Sequence, residues 1–248
     1  WRGMPAPDRV LQAVDAHFDQ AVEDLVALAR IPSVSAPGFD ASEVERSAEA
    51  VVELLRSSGF SEVEILRVPG AHPFVVGEWL GAGEDAPTLV LYAHHDVQPP
   101  GRSDYWQTPP FEPTLREDGR LYGRGVVDDK AGVLVYAAAI RAWLESEGTL
   151  PVNIKMVVDG EEEIGSLHLA EFLHAHRERL SADVVVLSDT SNLAEGLPSI
   201  TTSLRGLVCV DVHIRALDHP LHSGMWGGAV PDAATALGLL LGRLVDGE

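Results

Sequence analysis

Three things are scarce in this 248-residue sequence: cysteine, basic side chains and long apolar runs. The single cysteine, Cys209, excludes an intrachain disulfide. Because low cysteine usage is typical of reducing compartments, we expect a cytoplasmic protein. No run reaches the roughly 18 apolar residues that a membrane-spanning helix needs, and Trp1-Arg2-Gly3-Met4 lacks the apolar core of a signal peptide. We therefore expect no membrane association.

Basic residues are outnumbered by acidic ones. The chain has 18 lysines and arginines against 38 aspartates and glutamates, which gives a formal net charge of −20. A polyanion would be repelled by most of such a surface, so neither nucleic acid nor an anionic membrane is expected as a partner. Most of these carboxylates are interpreted as solvated surface charge. A few can instead be gathered to hold a metal ion.

The N-terminal part predicts helices. Apolar residues at three- and four-residue spacings over residues 8–30 predict one amphipathic helix. Ser42 and Glu45 form a capping-box pattern for a second helix, which ends at Gly59. Two short strands with a period of two follow, around Val63–Ile65 and Phe74–Val76. These elements are interpreted as scaffold.

Three later apolar runs lack alternation, which is typical of strands buried on both faces. They are Thr88–Ala93, Val152–Val158 and Asp183–Leu187. Helices separate them, one at about Ala131–Glu145 and one capped by Ser166. Strands alternating with helices predict an α/β fold with a mostly parallel sheet flanked by helices, whose ligands gather beyond the carboxyl ends of the strands.

The pattern changes after Gly206. Alternation over Val208–Ile214 predicts a strand with one wet face, and a glycine-rich loop then leads to a helix opened by Pro231. We therefore predict one large domain over residues 1–205 and the start of a smaller domain over residues 206–248. One strand and one helix cannot close a core, so we expect a truncated chain or a partner that completes it.

The segment Gly123–Gly132 combines three glycines with the adjacent carboxylates of Asp128 and Asp129. Taken alone, this pattern fits a helix N-cap as well as it fits a cation site. The ends of the buried strands bear on this choice. They carry further imidazole and carboxylate groups at His94, Asp96, Glu162, Glu163 and Asp189.

Five carboxylates converging at one sheet edge need a positive charge. A like-charged pair at 4 Å costs about 4 kcal/mol at an effective dielectric of ~20. A site with one imidazole and several carboxylates but no thiolate suits zinc, manganese or cobalt. The charge of two divalent ions would balance that of three carboxylates and a bridging hydroxide. Because residues 94 and 96 point the same way along a strand, His94 is the candidate ligand and Asp96 the group that orients it, with His95 structural.

Five motifs in consistent order resemble the dizinc metallopeptidase family of carnosine dipeptidases, glutamate carboxypeptidases, aminoacylases, acetylornithine deacetylase and succinyl-diaminopimelate desuccinylase. They are Ala93–Val97, Gly123–Gly132, Glu162–Ser166, Ser188-Asp189, and Leu221–Gly224 with Gly227-Gly228. The resemblance runs from about Ile31 to Leu244. The segment Trp106–Gly125 is most similar to the dipeptidase branch.

This resemblance implies a zinc-peptidase-like catalytic domain followed by an α+β, ferredoxin-like lid. It implies that the carboxylate of Asp128 bridges two zinc ions and that the peptide bond between Asp128 and Asp129 is cis. It also implies that Glu162 is the general base. His94 and Asp189 would complete one metal site and Glu163 would serve the other. A lid histidine, His222, would reach the active site of the second subunit of a homodimer. The family takes one more histidine ligand from a late segment that this sequence does not contain.

The expected function is metal-dependent hydrolysis of the amide bond of dipeptides or short peptides by a water that two metal ions activate. One alternative is an N-acyl amino-acid deacylase, which uses the same metal chemistry on a different acyl group. The other is an inactive metal-binding fragment that lacks the late histidine.

Overall fold

The computed structural model describes residues 7–244 and divides the chain into two units. The first unit ends at Pro198 and the second begins at Ser199. The two are described separately below.

The first unit alternates helices and strands along the chain. Its helices are α1 Asp8–Ala16, α2 Phe18–Ala29, α3 Ala41–Ser57, α4 Lys130–Glu147 and α5 Leu169–Ala175. Its strands are β1 Glu62–Leu66, β2 Phe74–Trp79, β3 Thr88–His94, β4 Thr114–Leu115, β5 Leu121–Tyr122, β6 Asn153–Asp159 and β7 Val184–Leu187.

The main sheet has five strands in the order β1-β2-β6-β3-β7. Strands β6, β3 and β7 are parallel, whereas β1 pairs with β2 and β2 with β6 in antiparallel fashion. The sheet is thus mixed, and its antiparallel part comes from the two strands with a period of two. The α/β prediction is confirmed, and the parallel strands are the three that lead to the candidate site.

Apolar side chains cover both faces of the sheet. On one face, α2, α3 and α4 pack against β2, β3 and β6, with Leu55, Val133 and Met156 fully buried. On the other face, Phe74 stacks on Phe172 of α5 with ring centroids 4.1 Å apart. Packing on both sides holds the carboxyl ends of β3 and β6 in place.

One of the three predicted buried strands is exposed. The side chains of β7 are 37–58% exposed, although the apolar run predicted burial on both faces. Among residues 7–244, β7 pairs with β3 alone and lies at the edge of the sheet. The apolar composition of this segment therefore predicted the strand correctly but did not predict how exposed it is.

The predicted helix over residues 8–30 is two helices. His17, with φ −102° and ψ 8°, leaves the helical region and separates α1 from α2. Its ring lies 2.7 Å from a carboxylate oxygen of Glu145 on α4. The apolar spacing continues on both sides of the break, so the sequence pattern carried no signal for it.

The predicted capping box at Ser42 and Glu45 is wrong, because α3 begins one residue before Ser42. Its N-cap is Asp40, whose Oδ1 accepts the Ser42 N–H at 3.0 Å and the Ser42 hydroxyl at 2.7 Å.

We expect Asp40→Ala to lower the melting temperature by roughly 2–4 °C, as loss of an N-cap does. Glu45→Gln should leave it unchanged, since within residues 7–244 Glu45 forms a surface ion pair with Arg67 and such a pair contributes little to stability. Thermal unfolding by circular dichroism tests this, and a larger effect for Glu45→Gln would support the capping box.

The start of α4 is anchored by a buried lysine. Lys130 is fully buried, and its Nζ donates to the carbonyl oxygens of Leu28 at 2.9 Å and Ile31 at 2.8 Å. Leu28 lies in the last turn of α2, where a helix leaves carbonyl groups without intrahelical partners, and Ile31 follows the C-cap Arg30. The lysine thus ties the loop that carries Asp128 to the N-terminal helices.

The second unit contains two described helices, α6 Ser223–Trp226 and α7 Ala233–Leu241. Asp232 caps α7 by accepting the Thr235 N–H at 2.7 Å. The strand predicted at Val208–Ile214 is not formed, and residues 204–216 adopt no regular secondary structure. A strand needs a neighbour for its backbone groups, and the described part of this unit offers none. The ferredoxin-like lid stays a prediction.

Within residues 7–244, no helix combines the length and apolar character that crossing a bilayer requires.

Candidate metal centre

The candidate site lies where the parallel strands end. His94 is the last residue of β3, and Asp189 follows β7 by two residues. Glu162 and Glu163 lie in a 3₁₀ turn, Glu162–Ile164, that follows β6. Asp128 comes from the glycine-rich loop just before α4. The structure thus brings together the side chains that the sequence selected at these strand ends.

The peptide bond between Asp128 and Asp129 is cis, as the resemblance implied. Asp129 is buried, and its Oδ2 accepts the backbone N–H of His94 at 3.2 Å. A Cβ atom at Gly132 would lie 2.2 Å from Asp129 Oδ1 and 2.3 Å from Ser188 Oγ. A side chain at position 132 would therefore displace Asp129, which explains one glycine of this loop.

The ring of His94 sits at the centre of the acidic groups. Its Nε2 lies 3.0 Å from Asp128 Oδ1 and 3.8 Å from oxygens of both Glu162 and Asp189. Its Nδ1 lies 3.1 Å from the carbonyl oxygen of Asp96 and 3.3 Å from Asp96 Oδ1. Since both of these are acceptors, Nδ1 carries a proton, and Nε2 is the nitrogen whose lone pair would face a metal ion once the ring is neutral.

Asp96 ties three parts of the site together. Its carboxylate accepts the backbone N–H groups of Glu162 and Glu163, each at 3.1 Å, and the hydroxyl of Ser35 at 2.6 Å. Burial alone raises the pKa of Asp96, but hydrogen bonds from His94 and Ser35 outweigh it and hold that pKa below its ordinary value. Sequence reasoning missed Ser35, which lies 61 residues away and belongs to no periodic pattern.

Glu163 is oriented by Gln98, a second residue that sequence reasoning missed. The backbone N–H of Gln98 donates to Glu163 Oε1 at 3.1 Å, and its side-chain amide donates to Oε2 at 2.7 Å. The same amide also donates to the Glu163 carbonyl oxygen at 2.9 Å. Gln98 follows His94 and Asp96 by four and two residues, so proximity to the motif was the one available signal.

His95 takes no part in this cluster, which confirms its predicted structural role. Its ring is fully buried, and Nε2 lies 3.1 Å from the carbonyl oxygen of Pro73. Burial lowers the pKa of His95 to about 4, which keeps the ring neutral.

The electrostatics of the cluster favour a bound cation. Burial, together with repulsion from neighbouring carboxylates, raises the pKa values of Glu162 and Glu163, and that of Asp129 rises to about 7. Burial lowers the pKa of His94, but the hydrogen bond and charge of Asp96 and the nearby carboxylates raise it to about 10. Within residues 7–244, His94 is the only basic side chain within 4 Å of Asp128, Glu162 or Asp189. One imidazole does not balance this charge.

Two overlapping sets of side chains have the donor geometry of a metal site. Ligand atoms of His94, Asp128 and Glu163 lie within 4.8 Å of one another, and so do those of His94, Asp129 and Asp189. Nitrogen and carboxylate oxygen donors without thiolate fit zinc, manganese or cobalt. Asp129, which the sequence pattern marked only as the neighbour of Asp128, contributes to the second set.

His222 belongs to the second unit. It precedes α6, and its Nδ1 accepts the backbone N–H of Gly224 at 3.1 Å. Its predicted role at an active site stays a prediction.

Comparison with known proteins agrees with this geometry. The chain is 34% identical over 270 residues to the Beta-Ala-His dipeptidase of Homo sapiens, an alignment that covers 99% of this chain and 52% of that protein. It is 43% identical over 154 residues to the Cysteinylglycine-S-conjugate dipeptidase of Corynebacterium striatum, covering 62% of this chain and 33% of that protein. The chain therefore spans about half the length of the human dipeptidase.

A solved structure is also similar. The dipeptidase Dug1p from Saccharomyces cerevisiae superimposes with a TM-score of 0.76 at 29% identity, over 96% of this chain and 52% of that one. The sequence profile of Peptidase family M20/M25/M40 matches residues 90–236, which include the candidate ligands His94, Asp128, Glu163 and Asp189. The chain belongs to the M20/M25/M40 peptidase family.

Proposed function

We propose that this protein is a metal-dependent dipeptidase. The observation that carries the proposal is the grouping of Asp128, Glu163 and Asp189 around the ring of His94, with Glu162 3.8 Å from the same ring. The names of the human and Corynebacterium relatives, both dipeptidases, support the same substrate class.

We assign two divalent ions to the cluster, zinc first, with manganese or cobalt as alternatives. Asp128 would bridge them, His94 and Asp189 would hold one, and Glu163 would hold the other. The position of Asp128 supports the bridging role, since its Oδ1 lies 3.0 Å from His94 Nε2 and its ligand atom also groups with that of Glu163.

Glu162 is assigned as the general base. A divalent ion held by these residues would supply Lewis-acid chemistry, which lowers the pKa of water to about 7 and polarises a carbonyl group. Glu162 takes a proton from the attacking water and gives it to the amine that leaves. Burial and the neighbouring carboxylates raise the pKa of Glu162, and a base works best when its pKa lies near the operating pH.

The remaining groups orient this machinery. His94 Nδ1–H donates a hydrogen bond to Asp96, which fixes the ring so that Nε2 points to the cluster. Gln98 holds both oxygens of Glu163. His222 of a second copy would donate to the developing oxyanion, which requires a homodimer. This role, the homodimer and a cytoplasmic location stay predictions from the sequence.

A substrate panel with controlled metal content tests the proposed function. We expect the protein loaded with zinc or manganese to hydrolyse dipeptides, and treatment with a chelator to abolish turnover until a divalent ion is restored. N-acetyl and N-succinyl amino acids should be poor substrates by comparison. Faster turnover of the N-acyl compounds would replace the dipeptidase by a deacylase. No turnover of either class at full metal loading would refute both for this chain and support the inactive metal-binding fragment.

A further inference from the structure

The turn that carries Glu162 and Glu163 is a single 3₁₀ turn, too short to hold its shape by its own hydrogen bonds. Two residues that flank it, Asp159 and Ser166, are joined to each other. Oδ2 of Asp159 accepts the Ser166 hydroxyl at 2.8 Å, and Oδ1 accepts the Glu161 N–H at 2.9 Å. The contact between Asp159 and Ser166 therefore closes the loop around the two glutamates.

This contact is anchored in the sheet. Asp159 is the last residue of β6 and is fully buried. The hydroxyl of Tyr92, on the neighbouring strand β3, donates to the same Oδ2 at 3.1 Å. Ser166 also closes the loop through its backbone, because its N–H donates to the Glu161 carbonyl oxygen at 2.9 Å.

The backbone at Ser166 makes the identity of this residue informative. Its φ is 47°, in the left-handed region where a serine is uncommon, and Gly165 before it has φ 92°. Glycine would suit position 166 better as far as the backbone is concerned. The sequence pattern predicts Ser166 as a helix cap, but α5 begins at Leu169 and the hydroxyl contacts Asp159 instead. The feature that serine adds at this position is its hydroxyl.

We propose that Asp159 and Ser166 are positioning residues that hold Glu162 and Glu163 in their working geometry. The proposal rests on the proposed function, in which Glu162 is the base and Glu163 a metal ligand. A second tie across the turn joins the Glu161 carboxylate to the backbone N–H of His168 at 2.6 Å. Loss of the contact between Asp159 and Ser166 therefore leaves the turn less constrained and weakens the alignment of both carboxylates.

Glycine and alanine at position 166 separate the role of the serine hydroxyl from the role of the left-handed backbone conformation at this position. Ser166→Gly relieves the backbone but removes the hydroxyl, whereas Ser166→Ala removes the hydroxyl and keeps the strain. We expect both to lower zinc affinity and kcat by roughly 10–100-fold, the range for partners that orient metal ligands, with KM changed far less. Ser166→Gly should keep the melting temperature close to that of the unmodified chain. Ser181→Gly, at an exposed serine in the loop before β7, is the matched control.

Substitutions at Asp159 provide a rescue test. Asparagine keeps an oxygen for the Glu161 N–H, and its amide can donate to the hydroxyls of Tyr92 and Ser166. We therefore expect Asp159→Asn to retain most of the zinc affinity that Asp159→Ala loses. Equal losses in the two variants would contradict a role that depends on these hydrogen bonds.

Three measurements decide the question: zinc titration calorimetry, dipeptide turnover, and hydrogen exchange of residues 160–166 in the metal-free chain. The proposal expects faster exchange, weaker zinc binding and lower kcat in Ser166→Gly but not in Ser181→Gly. Unchanged exchange and unchanged zinc affinity in Ser166→Gly would overturn it. If the unmodified chain hydrolyses no dipeptide, the proposed function fails, while exchange and zinc affinity still support or refute the positioning role.

Discussion

Glu162→Gln is expected to lower kcat for dipeptide hydrolysis by roughly 10²- to 10⁴-fold, the contribution of a positioned general base. Glutamine keeps the size and the backbone hydrogen bond to Asp96 but cannot accept the proton of the attacking water. Because Glu162 is not one of the assigned metal ligands, metal content should not change. Steady-state kinetics together with elemental analysis of the same samples measure both effects.

The control for this substitution is Glu171→Gln, the same chemical change at an exposed glutamate on α5. It should leave kcat and metal content as they are. If Glu162→Gln keeps its turnover, the assignment of the base is wrong. If it loses metal as well, Glu162 is a ligand rather than a base.

Asp128→Asn is expected to weaken zinc binding by more than about 100-fold, because loss of a ligand should exceed the 10–100-fold cost of losing a group that only orients one. It removes one negative charge at the point closest to His94 Nε2, 3.0 Å away. Turnover should fall with the bound metal. Calorimetric zinc titration of the metal-free chain measures the affinity directly.

The matched control is Asp85→Asn, at an exposed aspartate in a surface turn. This variant should bind zinc like the unmodified chain. Retention of full zinc affinity by Asp128→Asn would mean that the other set of donors, His94, Asp129 and Asp189, is sufficient.

The parts of the site that the sequence predicted are those that follow directly from strand periodicity. The carboxyl ends of neighbouring parallel strands lie at the same edge of a sheet, so His94 and Asp189 were expected to come close together once β3 and β7 were identified. The same periodicity separated His94 from His95, and the structure places the His95 ring against Pro73. Local apolar patterns and the order of the strands along the chain can be read directly from one sequence, which is why the sequence could reveal them.

The parts that the sequence did not predict depend on long-range contacts or on caps. Ser35 reaches Asp96 across 61 residues, and the Ser166 hydroxyl joins Asp159 instead of capping a helix. The strand at Val208–Ile214 failed because alternation predicts a strand only where a partner strand is available, and residues 204–216 have none among the described residues. A residue pattern shows which secondary structure a segment can adopt, and contacts with neighbouring segments determine whether it forms.

Equilibrium dialysis of the metal-free chain against micromolar zinc, followed by elemental analysis, tests the central claim most directly. The convergence of His94 with Asp128, Glu163 and Asp189 predicts that the chain retains zinc and that Asp128→Asn retains far less. A chain that retains no zinc would contradict the assignment of this cluster as a metal centre. An Asp128→Asn variant that retains as much zinc as the unmodified chain would contradict the role of Asp128 as a ligand in it.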